Sequence, residues 1–255
     1  MKFARYEAHG EVAYGLVEGD AVKQLSAAPF EDYQVTDHSH ALSDVRLLAP
    51  TTPSKIVAIG LNYRSHLGDR VPPTVPEPFI KTPSSLIGPG DSIVIPREAI
   101  EESVKMQPEG ELTLVIGKRC KRVTREDALS YVLGYTCGND FSARDWQRND
   151  LQWWRAKSSD TFSPIGPFIV TDLDPGNLQL TVRVNGKTVQ DQTTSDLLYD
   201  VPRIIEFVSQ AMTLEPGDVI MTGTPGSPGD VHDGDTVEVE IEGIGILRNP
   251  IKAER

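Results

Sequence analysis

The run MQPEGELTLVIG, residues 106 to 117, sets Glu109 and Glu111 two residues apart where an apolar stretch begins. In a strand such residues share a face, and two carboxylates side by side repel unless a cation lies between them. A second acidic signal, GYTCGNDFSARDWQ, puts Asp140 directly after Gly138 and Asn139, in a turn at the end of an expected helix. Three carboxylates leave open positions on a hard cation for water and substrate, which suits Mg2+ or Mn2+. The spacing alone does not demand an ion. Glu238, Glu240 and Glu242 repeat it on what reads as a solvated strand face, and an Asp in Gly-Asn-Asp also stabilises an Asx turn.

Histidine is scarce, with five in the chain. His66, in GLNYRSHLGD, follows a buried strand and has Asp69 three residues on. A carboxylate within helical reach can hold an imidazole in one tautomer as a general base, and the same pair also simply stabilises helices. Arg144 and Gln147 lie four and seven residues past Asp140. Helical backbone there would gather all three on one side, either for metal and anion recognition or as a surface Asp and Arg pair. Asp37-His38-Ser39-His40 reads as a solvated polar loop. GTPGSPGD, residues 223 to 230, follows a strand, and its N–H groups with Thr224 can cradle a carboxylate. It lacks the Gly-Lys-Ser/Thr ending of a nucleotide loop, and no H-E-x-x-H or G-x-S-x-G motif is present.

The elements that must position these residues are mostly short strands. KFARYE and VAYGLVEGDAVKQL, turning at Gly19-Asp20, predict antiparallel strands, and LLAPTTPSK breaks regular structure at residues 47 to 55. We therefore expect a small amino-terminal β domain over 1–50 and a larger second domain over 51–255. Asn185-Gly186 between alternating strands predicts a hairpin, and DTVEVEIEGIGIL a half-buried strand. Thr124 with Asp127 predicts a helix start in TREDALSYVLGY, and Asp200 caps a second helix over Pro202 to Ala211. The stretch from Pro72 to Pro83 is too proline-rich for helix or central strand. The expected class is β-rich α+β, a sandwich or roll with few helices.

The 255 residues carry 25 Lys and Arg against 37 Asp and Glu, a net charge of -12, which disfavours nucleic acid and acidic membranes. No stretch is apolar enough to span a bilayer and the amino terminus lacks a secretory apolar core, so a cytoplasmic protein is expected. Cys120 and Cys137 cannot build a four-thiolate zinc site, which leaves oxygen as the ligand type.

Taken together, IVAIGLNYRSH, PFIKTPSSLIGPGDSIVIP, EGELTLVIGK, VLGYTCGNDFSARDWQ, AKSSDTFSPIGPFIVT, VNGKTVQ and LEPGDVIMTGTP resemble, in order, the fumarylacetoacetate hydrolase family. The resemblance covers residue 54 to the end, and residues 1 to 50 resemble the small variable amino-terminal domain of bacterial members. It implies a mixed β-sandwich roll and a Mg2+ or Mn2+ ion, with Ca2+ possible in crystals, on Glu109, Glu111 and Asp140. It further implies His66 as general base, Lys157 as active-site lysine, Arg144, Gln147, Thr224 and Lys81 as substrate contacts, and a homodimer. Family members with a mobile lid place glutamate where this chain has Asp69, a shorter arm toward His66. The implied chemistry is C–C bond hydrolysis or double-bond isomerisation of a small keto-dicarboxylic or β-diketo acid, with oxaloacetate decarboxylation as the alternative. A non-catalytic metal- or ligand-binding β module is the reading from another class. The segments 67–80 and 97–108 flank the expected site, and one of them is expected to order over substrate as a lid.

Overall fold

The computed structural model describes all residues from Met1 to Arg255. The amino-terminal segment forms β1 (Lys2–Ala8), β2 (Glu11–Glu18), β3 (Ala21–Leu25) and β4 (Val35–Ala41), with a short β5 (Arg46–Leu47) against β1. Gly19, at φ 58, and Asp20 make the β2 to β3 turn. Irregular backbone over 48–55 then leads into β6 (Ile56–Gly60), α1 (Arg64–Leu67), β7 (Glu77–Lys81), β8 (Leu86–Ile87), β9 (Ile93–Ile95), α2 (Arg97–Glu101) and β10 (Met106–Gln107). The central stretch is β11 (Gly110–Ile116), β12 (Val132–Asn139), β13 (Ser142–Ala143), α3 (Arg144–Asn149), α4 (Trp154–Ser158) and β14 (Ser163–Val170). The chain finishes with β15 (Gln179–Val184), β16 (Lys187–Thr193), α5 (Val201–Ala211), β17 (Val219–Met221), β18 (Thr236–Ile241) and β19 (Gly245–Ala253).

A large mixed sheet runs β4-β3-β2-β1-β14-β12-β11-β17-β6-β7, and a five-stranded sheet runs β16-β15-β18-β19-β9. The amino-terminal strands enter the large sheet through Lys2 opposite Val170 and Phe3 opposite Ile169. Period-two alternation builds the core between the sheets: Leu112, Leu114 and Ile116 of β11 join Leu180 and Val182 of β15 and Val237, Val239 and Ile241 of β18. Val115 points the other way, into a cluster with Phe3, Ile56, Ala58, Val219 and Met221. β11 is therefore buried on both faces, and each fully buried aliphatic side chain contributes about 1.5–3 kcal/mol. The β-rich mixed-sheet class expected from the sequence is what forms.

Several local readings meet the structure closely. Asn185 and Gly186 adopt φ 51 and 78, the left-handed pair of a tight hairpin turn, between Val184 and Lys187. The Asp200 side chain accepts the Arg203 N–H at 3.0 Å, and Val201, Ile204, Ile205 and Val208 bury the inward stripe of α5. The proline-rich stretch does contain a strand, β7, but at the sheet edge, where Pro78 opposite Ile59 costs no ladder bond to a further strand.

The helix expected from Thr124 does not propagate. Thr124 and Asp127 make their capping contact, yet only a 3-10 turn over Ala128–Tyr131 follows, and from Val132 the chain is strand. Val132, Tyr135, Thr136 and Cys137 are β-branched, aromatic or small, and pairing along the whole of β11 outweighs a local cap. Asp140 is thus delivered by the end of a strand rather than of a helix.

A buried carboxylate fastens β6 to β17 beneath the site. Asp218 is fully buried, and its oxygens accept from Ser54 N–H at 2.9 Å, Ser54 Oγ at 2.7 Å, Glu215 N–H at 2.8 Å and the Lys55 ammonium. Asp218→Asn turns one acceptor into a donor facing donors, and is expected to cost about 3 kcal/mol. Urea unfolding measures it, and an unchanged midpoint would contradict this account of the joint.

Candidate active site

The β11 to β12 register brings the acidic residues together. Gly110 lies opposite Asn139 and Glu111 opposite Gly138, so the residues flanking these pairs, Glu109 and Asp140, meet at the strand ends. The Glu109 N–H donates to Asn139 Oδ1 at 2.9 Å, and the Glu109 carbonyl accepts the Asp140 N–H at 2.8 Å. Side chains would not fit in the crossing: a Cβ on Gly110 would lie 2.2 Å from Val182 Cγ2, and one on Gly138 2.1 Å from Thr113 Oγ1. As a result Glu109, Glu111 and Asp140 are buried, each offering an oxygen within 4.8 Å of the other two.

The surroundings are strongly charged. Lys157, from α4, donates to the carboxylates of both Glu109 and Asp140. The Arg144 guanidinium, at the start of α3, contacts Glu109, Gln147 and, at 2.8 Å, Gln107 Oε1. Burial alone would raise the Glu109 pKa, but Lys157, Arg144 and His66 hold it below the usual carboxylate range. Glu111 goes the other way: burial, then the Asp140 and Glu109 charges, push it well above that range, opposed by the Gly223 N–H at 2.7 Å. Burial disfavours the Lys157 cation, yet the two carboxylates outweigh it and raise its pKa. The donor set fits a divalent cation. Three buried carboxylates converge, and Glu111 has no direct bond to the lysine that pairs with the other two.

Above the acidic cluster lies a cavity of about 370 Å3, lined by all three carboxylates, His66, Arg144, Gln147, Lys157 and Thr224, with Ile59, Phe79 and Trp153 as apolar wall. Phe79 and Trp153 meet edge to face at 5.2 Å. The His66 Nδ1 donates to the Gly226 carbonyl, which fixes a proton on Nδ1 and turns Nε2 toward the cavity, 3.8 Å from Glu109 Oε1.

Two expected residues sit elsewhere. Asp69 does not hold His66: α1 ends at Leu67, Gly68 takes φ 58, and Asp69 is exposed outside the cavity, so the carbonyl of Gly226 plays the partner's part. Lys81 does not reach the cavity: it is fully buried behind Asp140, donating to that carboxylate and to the Phe162 carbonyl at 2.9 Å. Burial, with Lys157 nearby, lowers its pKa despite Asp140. Arg144 and Gln147 share α3 and both reach the cavity, but Arg144 is engaged with Glu109 rather than Asp140. The Thr224 hydroxyl donates to the Gly110 carbonyl at 3.0 Å and accepts from Gln190 at 2.8 Å, so it also belongs to the frame. Sequence reasoning missed Asn62, Asn139 and Gln190. Asn62 bonds Thr222 and both backbone groups of Tyr199, and Gln190 bonds Gly110 and Thr224 from a hairpin distant in sequence. Buried amides in this role leave no periodic or spacing signal.

The fumarylacetoacetate hydrolase C-terminal family pattern matches residues 55–252, and an Rv2993c-like amino-terminal pattern matches residues 1–50. The chain belongs to the fumarylacetoacetate hydrolase family. It is similar to the crystal structure of 5-carboxymethyl-2-hydroxymuconate delta-isomerase from Mycobacterium smegmatis, with 46% identity, TM-score 0.93 and all of both chains covered. A maleylpyruvate hydrolase from Sphingobium sp. SYK-6, solved with manganese and pyruvate, is 31% identical with TM-score 0.83, again over all of both chains. An oxaloacetate tautomerase from Xenopus laevis mitochondria is 40% identical over 91% of this chain and 76% of its own. The family's members are enzymes, and so is this chain; the passive binding module is set aside. No helix is long and apolar enough to cross a membrane.

Both flanking segments reach the cavity, the one after His66 through Arg70 and Phe79 and the other through Gln107; the former is tied to the body where the Tyr199 hydroxyl donates to the Pro73 carbonyl at 2.6 Å. If it orders over ligand, amides of residues 68–77 exchange more slowly with Mn2+ and oxalate bound. Equal hydrogen-exchange protection with and without them would contradict a lid here.

Proposed function

We propose that the chain uses a divalent cation, Mg2+ or Mn2+, held by Glu109, Glu111 and Asp140, to hydrolyse a C–C bond or move a double bond in a small keto-dicarboxylic or β-diketo acid. The observation that carries this reading is the meeting, at one cavity, of three converging carboxylates with a base-ready imidazole and a buried ammonium. A divalent cation bound there supplies a Lewis acid for the 2-oxo group of the substrate.

The remaining work falls to side chains. His66 takes a water proton at Nε2, with Nδ1–H kept on the Gly226 carbonyl. The water oxygen adds to the carbonyl carbon beyond the 2-oxo group, the adjoining C–C bond breaks, and its electron pair passes to the carbon next to the 2-oxo group. Lys157 places positive charge against the enolate so formed, and Arg144 and Gln147 orient the carboxylate end. A proton returned to that carbon completes the hydrolysis. Where no water is admitted, His66 instead carries a proton between carbons and the outcome is isomerisation.

Oxaloacetate chemistry on the same site is the second reading, supported by the likeness to the Xenopus tautomerase. Enolisation is common to both, so tautomerisation or decarboxylation needs the same residues. The likenesses to an isomerase and a hydrolase support the first reading equally. The family usually forms dimers, and we propose a homodimer acting on a free keto acid.

A panel of acylpyruvates, fumarylacetoacetate, oxaloacetate and hydroxymuconate-type dioates, assayed with Mg2+ or Mn2+, tests the proposal. His66→Ala is expected to lower kcat at least about 100-fold while still binding Mn2+, whereas Glu111→Gln loses Mn2+ binding and turnover together. Silence of the wild type across the panel, or full turnover by His66→Ala, would overturn it.

A further inference from the structure

Two arginines in the cavity have no assigned work. Arg70, beyond α1, is exposed and lines the cavity; its backbone N–H donates to the Leu67 carbonyl, while its guanidinium makes no hydrogen bond or ion pair. Arg148, on α3, also lines the cavity; its nearest carboxylate is Asp145 Oδ1 at 3.8 Å, while Asp145 Oδ2 already accepts the Lys105 N–H at 2.8 Å. Arg148 keeps 63% of its side chain exposed, so its guanidinium is free to turn toward a ligand.

The position of Arg148 gives the cavity a direction. Arg144 touches Glu109 at the acidic cluster, and Arg148 stands one helical turn further along the same helix face, about 6 Å of axial rise away. The buried acidic cluster therefore marks the closed end of the cavity, and the exposed Arg148 and Arg70 mark its solvent-facing end.

Charge sharpens the point. Among the lining residues the only acids are Glu109, Glu111 and Asp140, and these face four cationic side chains, Arg70, Arg144, Arg148 and Lys157. Lys157 and Arg144 answer Glu109 and Asp140 directly, which leaves Arg70 and Arg148 unengaged and the lining one positive charge in excess, in a chain whose net charge is -12. A cation on the acidic cluster increases that surplus. A monocarboxylic keto acid uses one end of such a cavity, and a dicarboxylic one uses both.

We propose that Arg70 and Arg148 bind the distal carboxylate of the substrate and select dicarboxylic over monocarboxylic keto acids. This rests on the proposed function for the orientation of the keto acid end. The arginines act on substrate length and charge, not on bond breaking, so their effect falls on affinity. Because Arg70 sits on the segment that flanks the cavity, engaging the distal carboxylate also draws that segment toward α3.

Calorimetric titration of the Mn2+-loaded protein with 2-oxoglutarate and with 2-oxopentanoate isolates the distal carboxylate, since the two share chain length and keto acid head. The wild type is expected to favour 2-oxoglutarate at least about tenfold, and Arg148→Gln and Arg70→Gln each to cut that ratio severalfold, with the double variant near parity. Equal wild-type affinities, or a ratio unmoved by both substitutions, would overturn the assignment. Both side chains are exposed, and matched unfolding midpoints confirm that the variants fold. The dicarboxylate preference without turnover on any substrate would sink the proposed reaction and leave the arginines' role standing, while turnover without the preference would do the reverse.

Discussion

Three buried carboxylates repel one another, and the molecule is built around holding them together. Glu109 and Glu111 share a face of the chain entering β11, and pairing with β12 sets Asp140 beside them. Such a cluster persists because the strands that carry it are locked on every side. β11 is buried along its whole length, Asn139 and Gln190 fasten its first amides, and Gly110 and Gly138 let the backbones cross where any side chain would collide. Lys81, Lys157 and Arg144 then offset part of the repulsion. Glu111 lacks the direct ion pairs that Glu109 and Asp140 make, and burial with those two neighbouring charges pushes its pKa up; this unpaired third carboxylate is what the proposed cation would meet.

The same arrangement explains why catalysis would be directional. His66 faces Glu109 Oε1, with a proton anchored on the Gly226 carbonyl, and Lys157 reaches Glu109 Oε2 from α4. Arg144 heads a short helix whose later turn supplies Arg148 at the mouth. The chain as a whole is acidic, so the positive lining has to be assembled locally, from segments that meet only in the fold.

Much of this was legible in the sequence, and the exceptions have physical reasons. The two-residue spacing of Glu109 and Glu111 survives translation into structure because strand alternation is a local rule. The Asn185-Gly186 hairpin and the Asp200 cap were readable for the same reason. The stretch after Thr124 misled because its capping contact is real but β11 competes for the residues that follow. Asp69 misled because helical spacing predicts contact only while the helix lasts, and α1 ends one turn after it begins. Lys81 belongs to the site region, yet nothing in its neighbours says whether its ammonium faces the cavity or the back of Asp140; its hydrogen bond to the Phe162 carbonyl, a residue distant in sequence, decides that. Asn62 and Gln190 join segments far apart in sequence, which no local pattern encodes.

The claim on which everything else rests is that Glu109, Glu111 and Asp140 grip one cation between them. Crystals grown with Mn2+ and measured at the manganese absorption edge test it most directly. The account predicts a single anomalous peak about 2.1 Å from an oxygen of each carboxylate, with the Lys157 ammonium displaced from between Glu109 and Asp140. A peak bound by other residues, or an empty cluster still bridged by Lys157 at saturating Mn2+, would contradict it.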